Sequence, residues 1–126
     1  MGDLSRNFSS SELECECGCG KVNVSLSFVD ALQRVRDVYG KPMVITSGMR
    51  CKAHNEAVGG VPGSSHVRGL AADIACTTSK QRSEILPLLW GEFKRIGIDA
   101  GFIHVDSDDK KPSPVIWLYY SGNHVA

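Results

Sequence analysis

The sequence reads as an α+β domain, a small antiparallel sheet packed with two main helices. Three observations point there. Two segments carry apolar residues at helical three- and four-residue spacings. Four short runs are β-branched or alternate apolar with polar. These elements do not follow the strand-helix-strand rhythm that builds a parallel sheet. At 126 residues the chain has the length for a single domain, 1–126, with a single core.

The elements follow in order. Ser9 to Leu13 (SSSEL) offers a hydroxyl cap and an early Glu suited to the positive end of a helix dipole, and it stops before CECGCG. Ser25 to Tyr39 sets Phe28, Val29, Leu32, Val35, Val38 and Tyr39 on one helical face, with Gly40 as its stop. Pro42 to Thr46 (PMVIT) is a buried strand that closes in the turn pair Ser47-Gly48. Arg50 to Arg68 is rich in Gly, Pro, Ser and Asn, with one short helical piece around Lys52 to Val58; a loop this long in so small a domain signals function. Leu70 to Ala75 (LAADIA) is a strand. Ser79 caps a helix expected to run to about Arg95, with Ile85, Leu88, Leu89, Phe93 and Ile96 on one face, a kink or restart at Pro87, and Gly97 as its end. Phe102 to Asp106 (FIHVD) and Pro114 to Tyr120 (PVIWLYY) are the last strands, joined by the polar loop SDDKKPS.

Composition narrows the function classes. Fourteen basic and fourteen acidic residues cancel, so no overall field draws the protein to nucleic acid or an anionic membrane. The N-terminal MGDLSRNFSS lacks the basic start and apolar run of an export signal, and no window approaches the roughly 18 apolar residues of a membrane span. Synthesis in the cytoplasm, as a monomer without membrane or nucleic-acid partners, is the expectation.

GSSHVRGLAADI brings His66 and Asp73 to either side of a turn. On a strand, Asp73 shares a face with Ala71, leaving Ala72 and Ile74 for the core; in FIHVD, Phe102, His104 and Asp106 share a face opposite Ile103 and Val105. Two imidazoles and a carboxylate form a three-ligand set of the catalytic zinc kind, with a fourth position left for water. Read from periodicity alone, the same residues also fit hydrogen-bonded structural groups.

The pattern is longer than that trio. Ser64 to Asp73 spells S-x-H-x-x-G-x-A-x-D, which resembles the signature of the zinc D-alanyl-D-alanine carboxypeptidase family. That family includes phage L-alanyl-D-glutamate endolysins and the hedgehog signalling domain. Ser47 to Arg50 (SGMR) resembles its SGxR segment, FIHVD its second metal motif, and HNEAVGGVPGSSH its phage and bacterial branch. These pieces run in family order from about Phe8 to Tyr119.

The resemblance implies a hedgehog/DD-peptidase-like fold and one catalytic zinc, held by His66, Asp73 and His104. It implies a zinc metallopeptidase, an endolysin-like D,D-carboxypeptidase or endopeptidase that cuts peptidoglycan stem peptides with metal-activated water. Such a protein would act on the cell wall, released there during phage lysis. Arg50 then looks like the cation that grips a substrate carbonyl or carboxylate. Ser64 is expected to orient a ligand or line the site, and His54 to contact substrate or pack in the loop.

Several branches of the family carry Glu or Asp three residues before the late His, where this chain has Gly101. Two aspartates are candidates for the general base: Asp106, roughly 6 to 7 Å along the strand from His104, and Asp99, in the turn before it. Strand geometry favours Asp106. Asp108 and Asp109 are expected in a solvated turn. Trp117 and Tyr119 share a face that either walls the cleft or packs in the core, and His124 is an inert tail residue. Two other classes stay open: a zinc-retaining module that binds cell wall or protein without turnover, and a structural virion component.

CECGCG contributes Cys15, Cys17 and Cys19 to a total of five cysteines, with Cys51 and Cys76. Without export, thiols or metal ligation are the expected uses. The C-x-C-x-C spacing is shorter than structural zinc sites commonly use. A second zinc site with Cys51 as fourth thiolate and a disulfide both stay open, beside the favoured reading of reduced, partly buried thiols bracing the site.

Overall fold

A computed structural model describes residues 2–19 and 23–119. Gly20 of CECGCG, Tyr120 at the end of the last expected strand, and His124 lie outside the described residues. The elements are α1 (Ser10–Leu13), α2 (Leu26–Tyr39), β1 (Ile45–Ser47), α3 (Lys52–Ala57), β2 (Ala71–Ala75), α4 (Ser79–Glu92), β3 (Arg95–Ile98), β4 (Phe102–Asp106) and β5 (Val115–Leu118).

The α2 helix starts and stops where its sequence says. The Ser25 hydroxyl accepts from Phe28 N, and Gly40 ends the helix in the left-handed region at φ 73°, a conformation that costs a residue without Cβ nothing. Ser79, the expected cap of α4, is instead its first residue, and Thr78 caps the helix by accepting from Gln81 N. Pro87 does not restart α4, which runs through it to Glu92.

The expected helix beyond Glu92 is instead a strand. Phe93 is extended and Arg95–Ile98 pairs on both sides. Phe93 and Ile96 fit a helical spacing, but Arg95-Ile96-Gly97-Ile98 also alternates, and the sheet uses that alternation to bury Ile96 against the core.

The five strands run in the order β1-β2-β4-β3-β5. The pairings β1–β2, β2–β4 and β3–β4 are antiparallel, as expected, while β3–β5 is parallel. The sheet is therefore mixed, because the loop after β4 carries the chain past β3 to its far edge.

One sheet face is the core face. Ala72, Ile74, Ile96, Ile103 and Val105 meet Phe28, Leu32 and Val35 of α2 and Ile85 and Leu89 of α4, all buried. Phe28 and Phe93 add a tilted ring contact at 5.4 Å. Each of the larger side chains among them contributes roughly 1.5 to 3 kcal/mol by leaving water. The period of two then sends Asp73, His104 and Asp106 to the opposite face.

Candidate metal centre

The pairing of β2 with β4 sets the site. Asp73 stands opposite His104 in an antiparallel register, and β1 places Ser47 opposite Asp73 on its other side. His66 arrives from the loop before β2, in a tight turn where Ser64 Oγ accepts from His66 N at 3.2 Å and Ser64 O accepts from Val67 N. One ligand atom each from His66, Asp73 and His104 lies within 4.8 Å of the others, and all three residues are buried.

Both rings have a defined orientation. Gly48 O accepts from His66 Nδ1 at 2.6 Å. The His66 ring therefore turns Nε2 toward Asp73 Oδ1, 3.3 Å away, and among the described residues Nε2 has no hydrogen-bond partner. Burial pulls the His66 pKa below its ordinary value, against the pull of Asp73. The neutral ring, protonated at Nδ1, presents an Nε2 lone pair.

His104 is held from behind. Its Nε2 donates to Asp106 Oδ2 at 2.7 Å, which leaves Nδ1 2.9 Å from Asp73 Oδ1. Burial lowers the His104 pKa, but the hydrogen bonds to Asp106 and Asp73 outweigh it and raise it overall. Burial likewise pushes Asp73 up, yet the neighbouring His104 and His66 rings hold it well below the usual carboxylate range. A buried carboxylate and two oriented imidazole nitrogens, one without a partner, form a donor set that fits a divalent metal of the zinc class.

Arg50 is buried and borders this set. Its Nη2 lies 3.8 Å from Asp73 Oδ2, Nη1 donates to Asn55 Oδ1 at 3.0 Å, and Nε donates to Ser47 Oγ. Burial lowers its pKa and Asp73 opposes the shift.

A family model described as Peptidase M15 matches residues 6–106. The chain belongs to the peptidase M15 family. No curated protein matches it. M15 peptidases are metal-dependent and take peptide substrates, and His66, Asp73 and His104 form a group whose ligand atoms lie close enough together to hold a metal ion. Among the described residues, no helix is long and apolar enough to cross a membrane.

Other expectations for this M15 chain meet a different geometry. Asp106, favoured as general base, has both oxygens engaged. Oδ2 holds His104, while Oδ1 accepts from Arg95 Nε at 2.8 Å and Asp108 N at 3.1 Å. It faces the back of the His104 ring and acts as that ring's support. Ser64 is buried, and its Oγ holds the backbone N of His66, in line with the expectation that it orients a ligand. His54 is half-buried on α3 and is not part of the donor group. Asp99 lies in the β3–β4 turn, with Oδ2 accepting from Gly101 N at 3.0 Å. Asp108, expected in a solvated turn, is buried; it accepts from Ser65 Oγ at 2.8 Å and pairs with Arg68.

Two supporting groups escaped the sequence reading. Arg95 falls at the end of the expected α4 helix, although its alternation with Gly97 is also a strand signal. The Gly48 carbonyl carries no side-chain signal at all. Trp117 and Tyr119 wall the site face. Trp117 packs 5.4 Å from the His104 ring with the Arg95 guanidinium over its indole, and Tyr119 lies 5.3 Å from Phe102. The Tyr119 hydroxyl is buried, with no acceptor among the described residues. Burial pushes that phenol up, against the neighbouring Trp117 indole, so it keeps its proton.

Proposed function

We propose that this single-domain protein is a zinc peptidase that hydrolyses a peptide bond in peptidoglycan stem peptides. The observation carrying the reading is the partnerless Nε2 of His66, buried and turned toward Asp73 beside His104. A buried nitrogen lone pair without a donor is costly, and a metal ion is the ligand its neighbours suit. The stem-peptide substrate rests on the resemblance of Ser47–Arg50 and Ser64–Asp73 to the carboxypeptidase and endolysin signatures.

His66, Asp73 and His104 would hold the zinc, which when bound polarises a carbonyl and acidifies water. Arg50, already placed against the carboxylate of Asp73, would grip the carbonyl or carboxylate of the peptide next to the scissile bond. The Tyr119 hydroxyl would donate to the oxygen that gains charge as the carbonyl becomes tetrahedral.

Asp99 would be the general base. Asp106 has both oxygens committed, whereas Asp99 Oδ1 has no partner among the described residues. A Cβ placed on Gly101 would stand 3.7 Å from Asp99 Oδ2. The Asp99 carboxylate thus borders the position from which other branches of the family extend their acid. It would take a proton from the attacking water at Oδ1 and return it to the leaving amine.

Gly101 also favours a second reading, a module that keeps zinc and binds cell-wall peptide without cutting it. Incubating zinc-loaded protein with bacterial cell walls and identifying released fragments by mass spectrometry separates the two. New amino termini, absent with His66→Ala, are expected, and the fragment masses name the bond. A fully zinc-loaded protein that retains cell-wall peptide yet frees no amino group would sink the enzymatic reading in favour of the module.

A further inference from the structure

We propose that Cys15, Cys17, Cys19 and Cys51 hold a second, structural metal ion, a tetrathiolate zinc that fastens the N-terminal segment to the loop carrying Arg50. Their four Sγ atoms lie within 4.8 Å of one another, with Cys15–Cys17 at 3.4 Å and Cys17–Cys51 at 3.6 Å. Zinc bonded to four thiolates at about 2.3 Å in a tetrahedron sets its sulfurs about 3.8 Å apart. The two shortest separations lie within a few tenths of an ångström of that value. All four cysteines are free of disulfides, and a disulfide would need its sulfurs at about 2.05 Å.

The turn chemistry answers the objection raised by the short spacing. Residues 16–19 form a turn, and Gly18 sits in it at φ 85°, a left-handed conformation suited to glycine. Curling the chain at Gly18 gathers cysteines that an extended strand would set roughly 6 to 7 Å apart along one face. Cys51 enters from the other side of the cluster, distant in sequence and close in space.

The surroundings have the character of a thiolate site. Cys51 N donates to Cys15 Sγ, and His54 N donates to Cys51 Sγ, each at 3.3 Å; such N–H groups stabilise charge on sulfur. Cys15 and Cys51 are buried beside Met49, while Cys17 and Cys19 are exposed. The cluster has a closed back and an open front through which an ion can enter. A closed set of four protein thiolates leaves no position for substrate or water, which makes the role structural.

A structural ion also has work to do here. The four-residue α1 is too short to hold itself, and the small apolar cluster under this segment consists of Cys15, Met49 and Cys51. Leu13 O accepts from Met49 N at 2.8 Å, and a Cβ on Gly48 would stand 2.7 Å from Leu13 Cα. The N-terminal segment therefore lies directly on residues 48–51. Those residues supply Gly48 O to His66 and carry Arg50, whose own N donates to His66 O. Locking Cys51 to Cys15 would fix both hydrogen bonds that this segment makes to His66, one to its ring and one to its backbone carbonyl.

The test uses the full chain, purified under reducing conditions, loaded with excess zinc and desalted. Two zinc ions per chain are expected for the native protein. One is expected for His66→Ala, and one for Cys17→Ser/Cys19→Ser. Cobalt in place of zinc gives a readout that needs no variant, since the His-Asp-His site contains no sulfur: thiolate-to-cobalt charge-transfer absorption in the near ultraviolet is expected. No such absorption in the native protein overturns the proposal. So does a mass lower by two hydrogens per chain, which would show the cluster closing as a disulfide. Neither result bears on peptidase activity, so this proposal and the proposed function fail separately.

Discussion

Asp106 accepts the Nε2 proton of His104 at 2.7 Å, and Nδ1 of the same ring is thereby aimed at Asp73. A carboxylate behind an imidazole fixes which nitrogen carries the proton and makes the other a better donor. Asp106→Asn should therefore weaken zinc binding by about 10- to 100-fold, measured by competition with a chromophoric chelator. Unchanged affinity with lost turnover would instead return Asp106 to the role of base.

Asp99→Asn should behave in the opposite way. Zinc affinity should hold, while kcat against cell-wall peptide falls about 10²- to 10⁴-fold, the usual weight of a positioned base. Adding Gly101→Glu to that variant should recover part of the rate, since a Cβ at Gly101 approaches only Asp99 Oδ2, at 3.7 Å. A fully active Asp99→Asn enzyme would remove Asp99 from the mechanism.

Gly97→Ala tests the aromatic wall. A Cβ at Gly97 would meet Trp117 Nε1 at 2.5 Å and Tyr119 Cε2 at 2.6 Å, inside van der Waals contact. Trp117 would have to leave the His104 ring, at a cost of about 1 to 3 kcal/mol. Thermal unfolding should report that loss, and Trp117 fluorescence should shift. A variant as stable as the native protein would show that the wall yields freely.

Asp108 predicts an acid-sensitive term in stability. Burial pushes its carboxyl up, but hydrogen bonds from Ser65 and Arg68 outweigh this and lower it. With the folded pKa depressed, the unfolded chain takes up the proton first as pH falls. The stabilisation is therefore complete above the unfolded value of about 3.9 and fades as pH drops through the folded one. Asp108→Asn should cost about 2 kcal/mol at pH 7, and urea unfolding at about pH 3 should show the gap to native narrowing. An equal gap at both pH values would contradict this.

Local signals carried much of the fold. Ser25 and Gly40 bound α2 because capping chemistry is local, and the alternation in LAADIA and FIHVD separates core from site face because strand period is local. What failed was non-local. Phe93 and Ile96 suit helix and strand alike, and pairing with β4 and β5 decided for strand. That misreading hid Arg95, and with Arg95 hidden nothing signalled that Asp106 was already engaged on both oxygens. Asp108 looked solvated in SDDKKPS because its partners, Ser65 and Arg68, lie some forty residues earlier. Cys51 is named beside Cys15, Cys17 and Cys19 as a fourth thiolate, but spacing alone leaves that grouping open, because only the fold brings Cys51 to the other three.

The alignment of Asp73 with His104 has one more consequence, for how the protein avoids errors as it folds. The two strands are separated by the whole of α4 and β3, so they find each other late and by a non-local search. A slip of one residue would swing Asp73 or His104 into the oily interior and push Ala72 or Val105 toward water. Misaligned chains would bury charge and lose core together, so they cannot persist as stable, inactive decoys. The arrangement that makes the site also proofreads it.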